Sequence, residues 1–228
     1  MPKAQKTIQK RTRTRIPPFG LDVDHILWHM FKNRVAPRQQ STRKQAEIRR
    51  QIEAMLKARI ITKSNASYYS QVILALKPDG TSRFCIDYRN QNDATKPASW
   101  PIPHIRQILG RLGAHKADSF GVIDLTAGYY QAPLKMNRRA YTAFTTFMGV
   151  YEFTRLPFGP KRAPSYFQEV MASDVLRGLI YLTCEVYLDD IIVFGSGHEE
   201  FCQRLDEIFE RLEEFDISLK AAKLRSHA

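Results

Sequence analysis

Apolar residues recur at helical spacing in several segments of the chain. In residues 42–60, for example, apolar side chains follow one another at intervals of four, three and one, with charged residues between them. This spacing places the apolar side chains on one face of a helix. Amphipathic helices are therefore predicted over 42–60, 164–176 and 201–215, and a shorter helix over 103–112.

Other segments have the residue types and turn signals of β-strands. Residues 71–77 and 83–88 flank Pro78-Asp79-Gly80-Thr81, where proline and glycine favour a tight turn, so a hairpin is predicted. Residues 120–125 form an apolar strand that finishes on Asp124, and the Thr-, Phe- and Tyr-rich residues 140–156 predict a second hairpin. Strands and helices do not alternate as in a parallel doubly wound sheet, so the α+β class is predicted.

Positive charge is concentrated in the first quarter of the chain. The formal net charge is +12, and residues 1–59 contain 15 basic and 4 acidic residues, against 20 and 19 in the remainder. Such a field favours a polyanion such as nucleic acid as the partner, although a basic segment can also aid solubility or contact a membrane. Residues 1–36 are interpreted as a basic N-terminal arm or linker.

The cysteines and the apolar runs limit the class of protein. Cys85, Cys184 and Cys202 are odd in number and far apart, so neither a disulfide framework nor a zinc knuckle is predicted. A reducing intracellular location is favoured for this reason. The longest apolar runs are much shorter than the ~20 residues of a membrane span, so no membrane partner is expected.

Two adjacent acids, Asp189 and Asp190, interrupt the hydrophobic stretch VYLDDIIVF at 186–194. A buried carboxylate is costly unless a cation or hydrogen bonds compensate it. A hairpin tip between the two strand-like runs would let both acids reach one polar cleft, beside Asp124. Converging carboxylates favour a hard divalent cation such as Mg²⁺, as in nucleotidyl transfer. The pattern alone leaves a solvated turn equally open, because Asp is common in turns.

Four motifs occur in order along the chain. They are RFCIDYRNQN at 83–92, VIDLTAGYYQAPL at 122–134, TAFTTFMGVYEFTRLPFGPKRAPSYFQ at 142–168 and VYLDDIIVF at 186–194. Together they resemble the reverse transcriptases of gypsy-type long-terminal-repeat retrotransposons. The resemblance implies the fingers and palm of a right-hand polymerase over 37–228, with an antiparallel palm sheet and helices packed on one face. It also implies that the chain stops before the primer grip and thumb.

The activity implied by the resemblance is that of an RNA-directed DNA polymerase, a nucleotidyltransferase. It would add deoxynucleotides to a primer 3′-hydroxyl on an RNA or DNA template by two-metal catalysis with Mg²⁺, for which Mn²⁺ could substitute. The resemblance assigns metal binding and catalysis to Asp124, Asp189 and Asp190, with the Leu125 carbonyl as a further metal ligand.

The resemblance also implies residues that bind the nucleotide and the template-primer. The nucleotide-binding residues would be Lys77, Arg83, Tyr129, Phe158 and Gly159. Tyr129 would lie beneath the sugar and leave little room for a 2′-hydroxyl, with ordinary core packing as the alternative. The template-primer residues would be Arg162, Gln168 and Tyr187, where Gln168 could equally be an exposed polar residue without a role. Asp87 and Arg89 are expected to form a structural pair.

Some positions depart from the motifs of the family. Residues 159–164 read Gly-Pro-Lys-Arg-Ala-Pro, where the family usually has Gly-Leu-x-Asn-Ala-Pro, and residues 90–92 lack the usual leucine. An alternative function is therefore a degenerate or domesticated, non-catalytic nucleic-acid-binding module.

The expected partners are a template-primer duplex, deoxynucleoside triphosphates and other polyprotein domains (ribonuclease H, integrase and protease). The expected location is intracellular and cytoplasmic, with a virus-like particle or the nucleus as alternatives.

Overall fold

The computed structural model describes residues 15–20, 40–78 and 80–219 of the 228-residue chain. The chain divides into two compact units, each assembled from segments that are distant in sequence. The described residues of the five-stranded unit are 18–20, 40–78, 80–97 and 133–163. Those of the three-stranded unit are 15–17, 98–132 and 164–219.

The five-stranded unit contains one mixed sheet. Its strands are β1 Ile61–Lys63, β2 Ser70–Leu76, β3 Ser82–Ile86, β5 Phe144–Thr146 and β6 Gly149–Phe153. They are ordered β1-β6-β5-β2-β3, and every neighbouring pair is antiparallel except β2 and β5, which are parallel. The predicted β2–β3 hairpin is confirmed, and Gly80 supplies a positive φ of 78° in its turn.

Helices and aromatic residues complete the five-stranded unit. Its helices are α1 Thr42–Lys57 and α2 Arg89–Asp93, and a 3₁₀ segment covers Met136–Thr142. The amphipathic helix predicted over 42–60 is confirmed, since Ile48 and Ile52 are buried on one face of α1. Phe144 lies at the centre of the core, with ring centroids 5.6 Å from Phe84 and 5.3 Å from Phe153. The predicted hairpin over 140–156 forms only from Phe144 onward, because the preceding residues are 3₁₀.

The three-stranded unit contains an antiparallel sheet. Its strands are β4 Ser119–Asp124, β7 Cys184–Tyr187 and β8 Asp190–Gly195, in the order β4-β8-β7. Its helices are α3 Ile105–Ala114, α4 Gly128–Gln131, α5 Ala163–Val170 and α6 His198–Glu214, and Met171–Val175 continues α5 as a π-helical turn. The α+β class and the antiparallel palm sheet predicted from the sequence are confirmed.

The two faces of the three-stranded sheet are covered to different extents. On one face, Gly121 and Gly195 lie directly under Phe201 of α6, and a Cβ on either glycine would come within 2.8 Å of that residue. On the opposite face, Ile108 and Leu112 of α3 cluster with Phe194. Helices thus cover the face expected from the sequence and also the second face, where α3 packs near Phe194.

Most of the predicted N-terminal arm, residues 1–14 and 21–36, lies outside the described residues. Within residues 15–20, Ile16 and Phe19 are each only 2% exposed. The Phe19 amide donates to the Pro133 carbonyl at 2.8 Å, and the Phe19 carbonyl accepts from the Lys135 amide at 3.0 Å. This short stretch therefore packs as part of the fold, because it has apolar side chains to bury, and is not a free basic arm. No helix in the described part of the chain is long and apolar enough to cross a membrane.

Candidate active site

The aspartate pair lies in the β7–β8 hairpin, as predicted, but its two members have different places there. Tyr187 and Asp190 face each other as the last residue of β7 and the first of β8. The two residues between them, Leu188 and Asp189, form the tip, and Leu188 adopts a positive φ of 58°. A positive φ at the first tip residue is typical of two-residue hairpin turns. Asp189 is therefore held in the turn, whereas Asp190 already belongs to a strand.

Asp124 lies directly across from Asp190. The two residues are register partners at one end of the β4–β8 ladder. Side chains of partnered antiparallel residues project from the same face, with Cβ atoms about 4.5–5.5 Å apart. Two carboxylates so placed repel each other, and a cation between them is the arrangement that makes this pair favourable. The sequence prediction that Asp124 lies beside the aspartate pair agrees with this pairing.

The predicted metal ligands do not form one three-carboxylate group in this structure. Among the described residues, no three His, Cys, Asp or Glu side chains are grouped so that they could hold a metal ion. The donor set that the strands do assemble is Asp124 opposite Asp190, with Asp189 in the adjoining turn. Magnesium commonly uses only one or two protein carboxylates together with substrate phosphates, so this donor set fits that ion.

The Leu125 backbone, the fourth predicted metal ligand, continues β4 beyond Asp124. Leu125 forms an isolated antiparallel bridge with Leu219 and is 3% exposed. Among the described residues, one hydrogen bond of this bridge runs from the Thr126 amide to the Ser218 carbonyl at 3.0 Å, and this bond does not use the Leu125 carbonyl. A ligand role for that carbonyl stays a prediction.

Gln168 of α5 holds the aspartate turn in place. Its side chain is buried, with the residue 2% exposed, so the alternative of an exposed polar residue without a role is wrong. The Nε2 group donates to the Val186 carbonyl at 3.0 Å, and Oε1 accepts from the Leu188 amide at 2.8 Å. Both hydrogen-bonding groups of the side chain are thus used on the hairpin, and Gln168 in this structure positions the turn; its predicted template contact remains a prediction.

Tyr129 lies in α4, close to Asp189. Its ring packs against Phe167 with centroids 5.0 Å apart, and the residue is only 6% exposed. Burial, followed by the negative charge of Asp189, raises the pKa of Tyr129 to about 12. The ring is therefore neutral at physiological pH. The contact with Phe167 agrees with the core-packing alternative, and the proximity to Asp189 agrees with the predicted place beside the aspartates. The role of Tyr129 in nucleotide binding stays a prediction.

Gly128, which sequence reasoning did not single out, sets the distance between α4 and the aspartate turn. A Cβ on Gly128 would lie 3.3 Å from the Phe167 ring and 3.4 Å from Asp189 Cβ. These distances are tighter than, or at the limit of, ordinary contact, so a side chain here would press on Asp189. The Thr-Ala-Gly sequence after Asp124 was the available signal, since glycine often marks a close approach.

Tyr187 lies on the same sheet face as Asp190 and is partly buried against the cluster that α3 forms with Phe194. Further along β7, Glu185 is 1% exposed and accepts two hydrogen bonds from Arg111, at 2.6 and 2.8 Å. This buried carboxylate is neutralised within the protein by a bidentate arginine. The predicted template contact of Tyr187 is not tested by these contacts.

The remaining predicted residues belong to the five-stranded unit. Lys77 follows β2 and lines a cavity of about 450 Å³ with Arg50, whereas Arg83 is exposed on β3. Phe158 is 49% exposed, and Gly159 has a φ of 109°. A Cβ on Gly159 would come within 2.9 Å of the Tyr88 ring, so the turn passes directly over that ring. The Phe158–Gly159 turn also lies close to the end of β3, the strand of Arg83, since the Ile86 carbonyl is 3.8 Å from the same Cβ position.

The expected structural pair in this region is present. Arg89 donates two hydrogen bonds to the Asp87 carboxylate, at 2.8 and 2.7 Å. Arg162 follows the Phe158–Gly159 turn and is half-buried. Lys77, Arg83, Phe158, Gly159 and Arg162 all lie in the five-stranded unit. Their roles in binding the nucleotide or the template stay predictions.

The fold is that of a polymerase known from solved structures. The crystal structure of a prototype foamy virus protease-reverse transcriptase mutant matches with a TM-score of 0.74 and 25% identity, over 91% of this chain and 27% of that one. The foamy viral protease-reverse transcriptase in complex with an RNA/DNA hybrid matches with a TM-score of 0.73 and 25% identity, over 93% of this chain and 27% of that one.

The sequence identifies the family. The family model described as reverse transcriptase (RNA-dependent DNA polymerase) matches residues 75–227, and the chain belongs to this family. It is similar to the retrovirus-related Pol polyproteins of the Drosophila melanogaster transposons 297 (37% identity) and gypsy (34%), over 78% of this chain in each case. It spans 17% and 18% of the lengths of these polyproteins. The resemblance to gypsy-type elements seen in the motifs is thus confirmed.

Proposed function

We propose that this chain is the catalytic part of a retrotransposon reverse transcriptase, which adds deoxynucleotides to a primer 3′-hydroxyl on an RNA or DNA template. The observation that carries the proposal is the register pairing of Asp124 with Asp190, next to a turn that holds Asp189. Like charges directly opposite each other on adjacent strands are unfavourable, and a bound divalent cation offsets that repulsion, which supports a metal-dependent function.

The three aspartates would bind the metal ions that the reaction needs. Asp124 and Asp190, joined by Asp189 and by the Leu125 carbonyl, would hold Mg²⁺, with Mn²⁺ as a substitute. Bound there, divalent ions neutralise phosphate charge and favour deprotonation of the primer hydroxyl. The chain itself supplies positioning: Gln168 fixes the turn that carries Asp189, and the β4–β8 ladder fixes the other two carboxylates.

The nucleotide would be held by the residues that the family resemblance assigns to it. Arg83, exposed on β3, has a planar group of donors that suits triphosphate oxygens, and Lys77 would add a second positive charge. Phe158 and Gly159 would border the nucleotide. Tyr129 would discriminate against a 2′-hydroxyl, because its ring is fixed by packing on Phe167.

The template-primer duplex would be bound by Arg162 and Tyr187, by Gln168 through the turn it holds, and by the basic N-terminal quarter. Phosphate contacts of basic residues make such binding salt-dependent. The similarity to the foamy viral enzyme solved with an RNA/DNA hybrid supports this choice of partner. The similarity to Pol polyproteins supports further domains in the same polyprotein, such as ribonuclease H, integrase and protease. We place the protein in the cytoplasm or a virus-like particle, or in the nucleus.

A second candidate function is a non-catalytic nucleic-acid-binding module. The observation that favours it is the altered turn after Gly159, where Pro160 removes an amide donor and Arg162 replaces the usual small amide. The two functions predict the same binding to a duplex and differ in chemistry.

Primer extension on RNA and DNA templates with Mg²⁺ or Mn²⁺ separates these functions. The parent chain is compared with Asp189→Asn and with Asp206→Asn, which changes an exposed aspartate of α6. Polymerase function predicts extension by the parent and by Asp206→Asn, loss in Asp189→Asn, and equal duplex binding by all three. If the parent extends no more primer than Asp189→Asn while both bind the duplex, the chain is the binding module.

A further inference from the structure

The Phe158–Gly159 turn is poor in hydrogen-bond donors of its own. Pro157 and Pro160 have no N–H group, and the φ of Gly159, 109°, is one that L side chains rarely adopt. The bond closing the end of the turn runs from the Ala163 amide to the Pro160 carbonyl at 3.0 Å. A segment of this kind needs partners outside itself to keep one conformation.

Asn92 supplies such partners from α2. Its Nδ2 group donates to the Gly159 carbonyl at 3.0 Å, and its Oδ1 accepts from the Lys161 amide at 2.7 Å. The two backbone groups lie on either side of Pro160, the residue that cannot donate. One planar side-chain amide therefore fixes the backbone before and after this proline, and all these residues belong to the five-stranded unit.

The Tyr88 ring also supports the Phe158–Gly159 turn. Tyr88 precedes Asn92 by four residues, and the Asn92 amide donates to the Tyr88 carbonyl at 2.8 Å, so both side chains lie on one face of this helical segment. The Tyr88 ring lies under Gly159, and its hydroxyl donates to the Thr142 carbonyl at 3.1 Å. Tyr88 thus prevents the turn from moving inward, while Asn92 fixes it along the helix.

We propose that Asn92 is a positioning residue for nucleotide binding, which acts through the backbone of the Phe158–Gly159 turn. The inference rests on the proposed polymerase function, because Phe158 and Gly159 are predicted to border the nucleotide. Phe158 is 49% exposed, and its backbone is part of the turn that Asn92 holds through the Gly159 carbonyl and the Lys161 amide. Loss of Asn92 then weakens nucleotide binding more than the chemical step, since the carboxylates belong to another unit.

Three variants of the 228-residue chain test the inference. Asn92→Ala removes both hydrogen bonds, and Asn92→Asp keeps an acceptor for the Lys161 amide but loses the donor to Gly159. Asn90→Ala is the matched control, because Asn90 lies on the same helix and makes no described hydrogen bond to the turn. Two quantities are measured: hydrogen exchange of the Lys161 amide by NMR, and the KM and kcat for single-nucleotide addition.

In Asn92→Ala we expect exchange at Lys161 to rise, and KM for the nucleotide to rise, each about 5- to 30-fold, as for the loss of one or two hydrogen bonds. The kcat is expected to change less than about threefold on the same argument. Asn92→Asp should keep the protection at Lys161, and Asn90→Ala should match the parent in every measurement. Because Asn92→Asp retains one of the two bonds, it serves also if the alanine variant does not fold.

The outcomes separate this inference from the proposed function. If the parent extends no primer, the polymerase proposal fails for this chain, and the exchange data alone decide whether Asn92 holds the turn. If the parent is active and Asn92→Ala lowers kcat as much as kcat/KM, or leaves Lys161 protected, the positioning role is overturned. Equal effects of Asn90→Ala and Asn92→Ala would likewise overturn it.

Discussion

Two turns of this molecule carry predicted site residues, and each is held by one side-chain amide. In the three-stranded unit, Gln168 binds the Leu188–Asp189 turn through the backbone at Val186 and Leu188. In the five-stranded unit, Asn92 binds the Phe158–Gly159 turn through the backbone at Gly159 and Lys161. The chemistry is the same, but Gln168 is 2% exposed, whereas Asn92 is half-buried.

The difference in burial indicates which of the two amides contributes more to the free energy of unfolding. When a buried side-chain amide is removed, water cannot reach the backbone groups to which it was bonded. The lost hydrogen bonds therefore lower the free energy of unfolding. Near the surface, water takes over part of the lost bonding, and the main consequence is a less defined turn. The amide that holds the aspartate turn is therefore part of the core, whereas the amide that holds the Phe158–Gly159 turn lies nearer the surface.

The largest effect is expected from the carboxylates in and beside the aspartate turn. In Asp190→Asn, nucleotide addition should fall roughly a thousandfold, because a carboxylate at the metal contributes several kcal/mol. The same change relieves repulsion with Asp124 and should raise the free energy of unfolding by about 0.2–1 kcal/mol in metal-free buffer. Single-turnover kinetics and chemical denaturation measure the two quantities. A variant that is both less active and less stable would indicate a structural role for Asp190.

The next effect distinguishes the two amides directly. Gln168→Leu should lower the free energy of unfolding by roughly 2–4 kcal/mol, because a buried donor and acceptor lose their partner, whereas Asn92→Ala should lower it by about 1 kcal/mol or less. Urea denaturation of both variants measures this difference. Gln203→Leu, an exposed glutamine of α6, is the control and should be close to neutral. Equal losses for Gln168→Leu and Asn92→Ala would contradict the conclusion that the buried amide contributes more to stability than the half-buried one.

A third amide, Gln91, shows what burial without partners does. Gln91 precedes Asn92, is 0% exposed, and neither polar atom of its side chain has a hydrogen-bond partner among the described residues. It occupies the place of the leucine usual in the family. Gln91→Leu should therefore raise the free energy of unfolding by about 1–3 kcal/mol without changing the Asn92 bonds. Thermal unfolding tests this, and a destabilised variant would mean that Gln91 has a polar partner in solution.

The smallest effect concerns Tyr129, next to the aspartate turn. Burial, and to a lesser degree Asp189, raises its pKa to about 12, so the unfolded chain ionises at lower pH than the folded one. The stabilisation is complete below about pH 10 and is lost as pH rises towards 12; it amounts to about 1.4 kcal/mol at pH 11. Unfolding of the parent and of Tyr129→Phe should therefore diverge above pH 10. Identical pH profiles would show that Tyr129 is not buried beside Asp189.

The sequence predicted the local structure around the aspartates but not what holds it. The hairpin and the strand ending on Asp124 follow from apolar patterning and turn signals, which are local. The register pairing of Asp124 with Asp190 joins residues far apart in the chain, and local patterning predicts only that each acid ends or begins a strand. The role of Gln168 does not follow from local patterning either, because its burial depends on backbone groups 18 and 20 residues away. Polar residues are usually exposed, and that general rule gave the wrong location for this one.

The same limit applies to the N-terminal segment and to Asn92. Charge patterning predicts an arm over residues 1–36, yet Phe19 is buried beside a segment more than a hundred residues later in the chain. Asn92 stands in a motif that resembles the family, but the motif alone does not show that the side chain bonds to the backbone around Pro160. Such contacts depend on the tertiary fold, and no periodicity in the sequence encodes them.

Single-nucleotide addition to a primer on an RNA template tests the central claim most directly. We expect the parent chain to add one nucleotide with Mg²⁺ or Mn²⁺, to add none after chelation of the metal, and to lose this activity in Asp190→Asn while duplex binding is unchanged. Addition of the nucleotide by Asp190→Asn at the parent's rate would contradict the assignment of Asp124, Asp189 and Asp190 as the catalytic carboxylates.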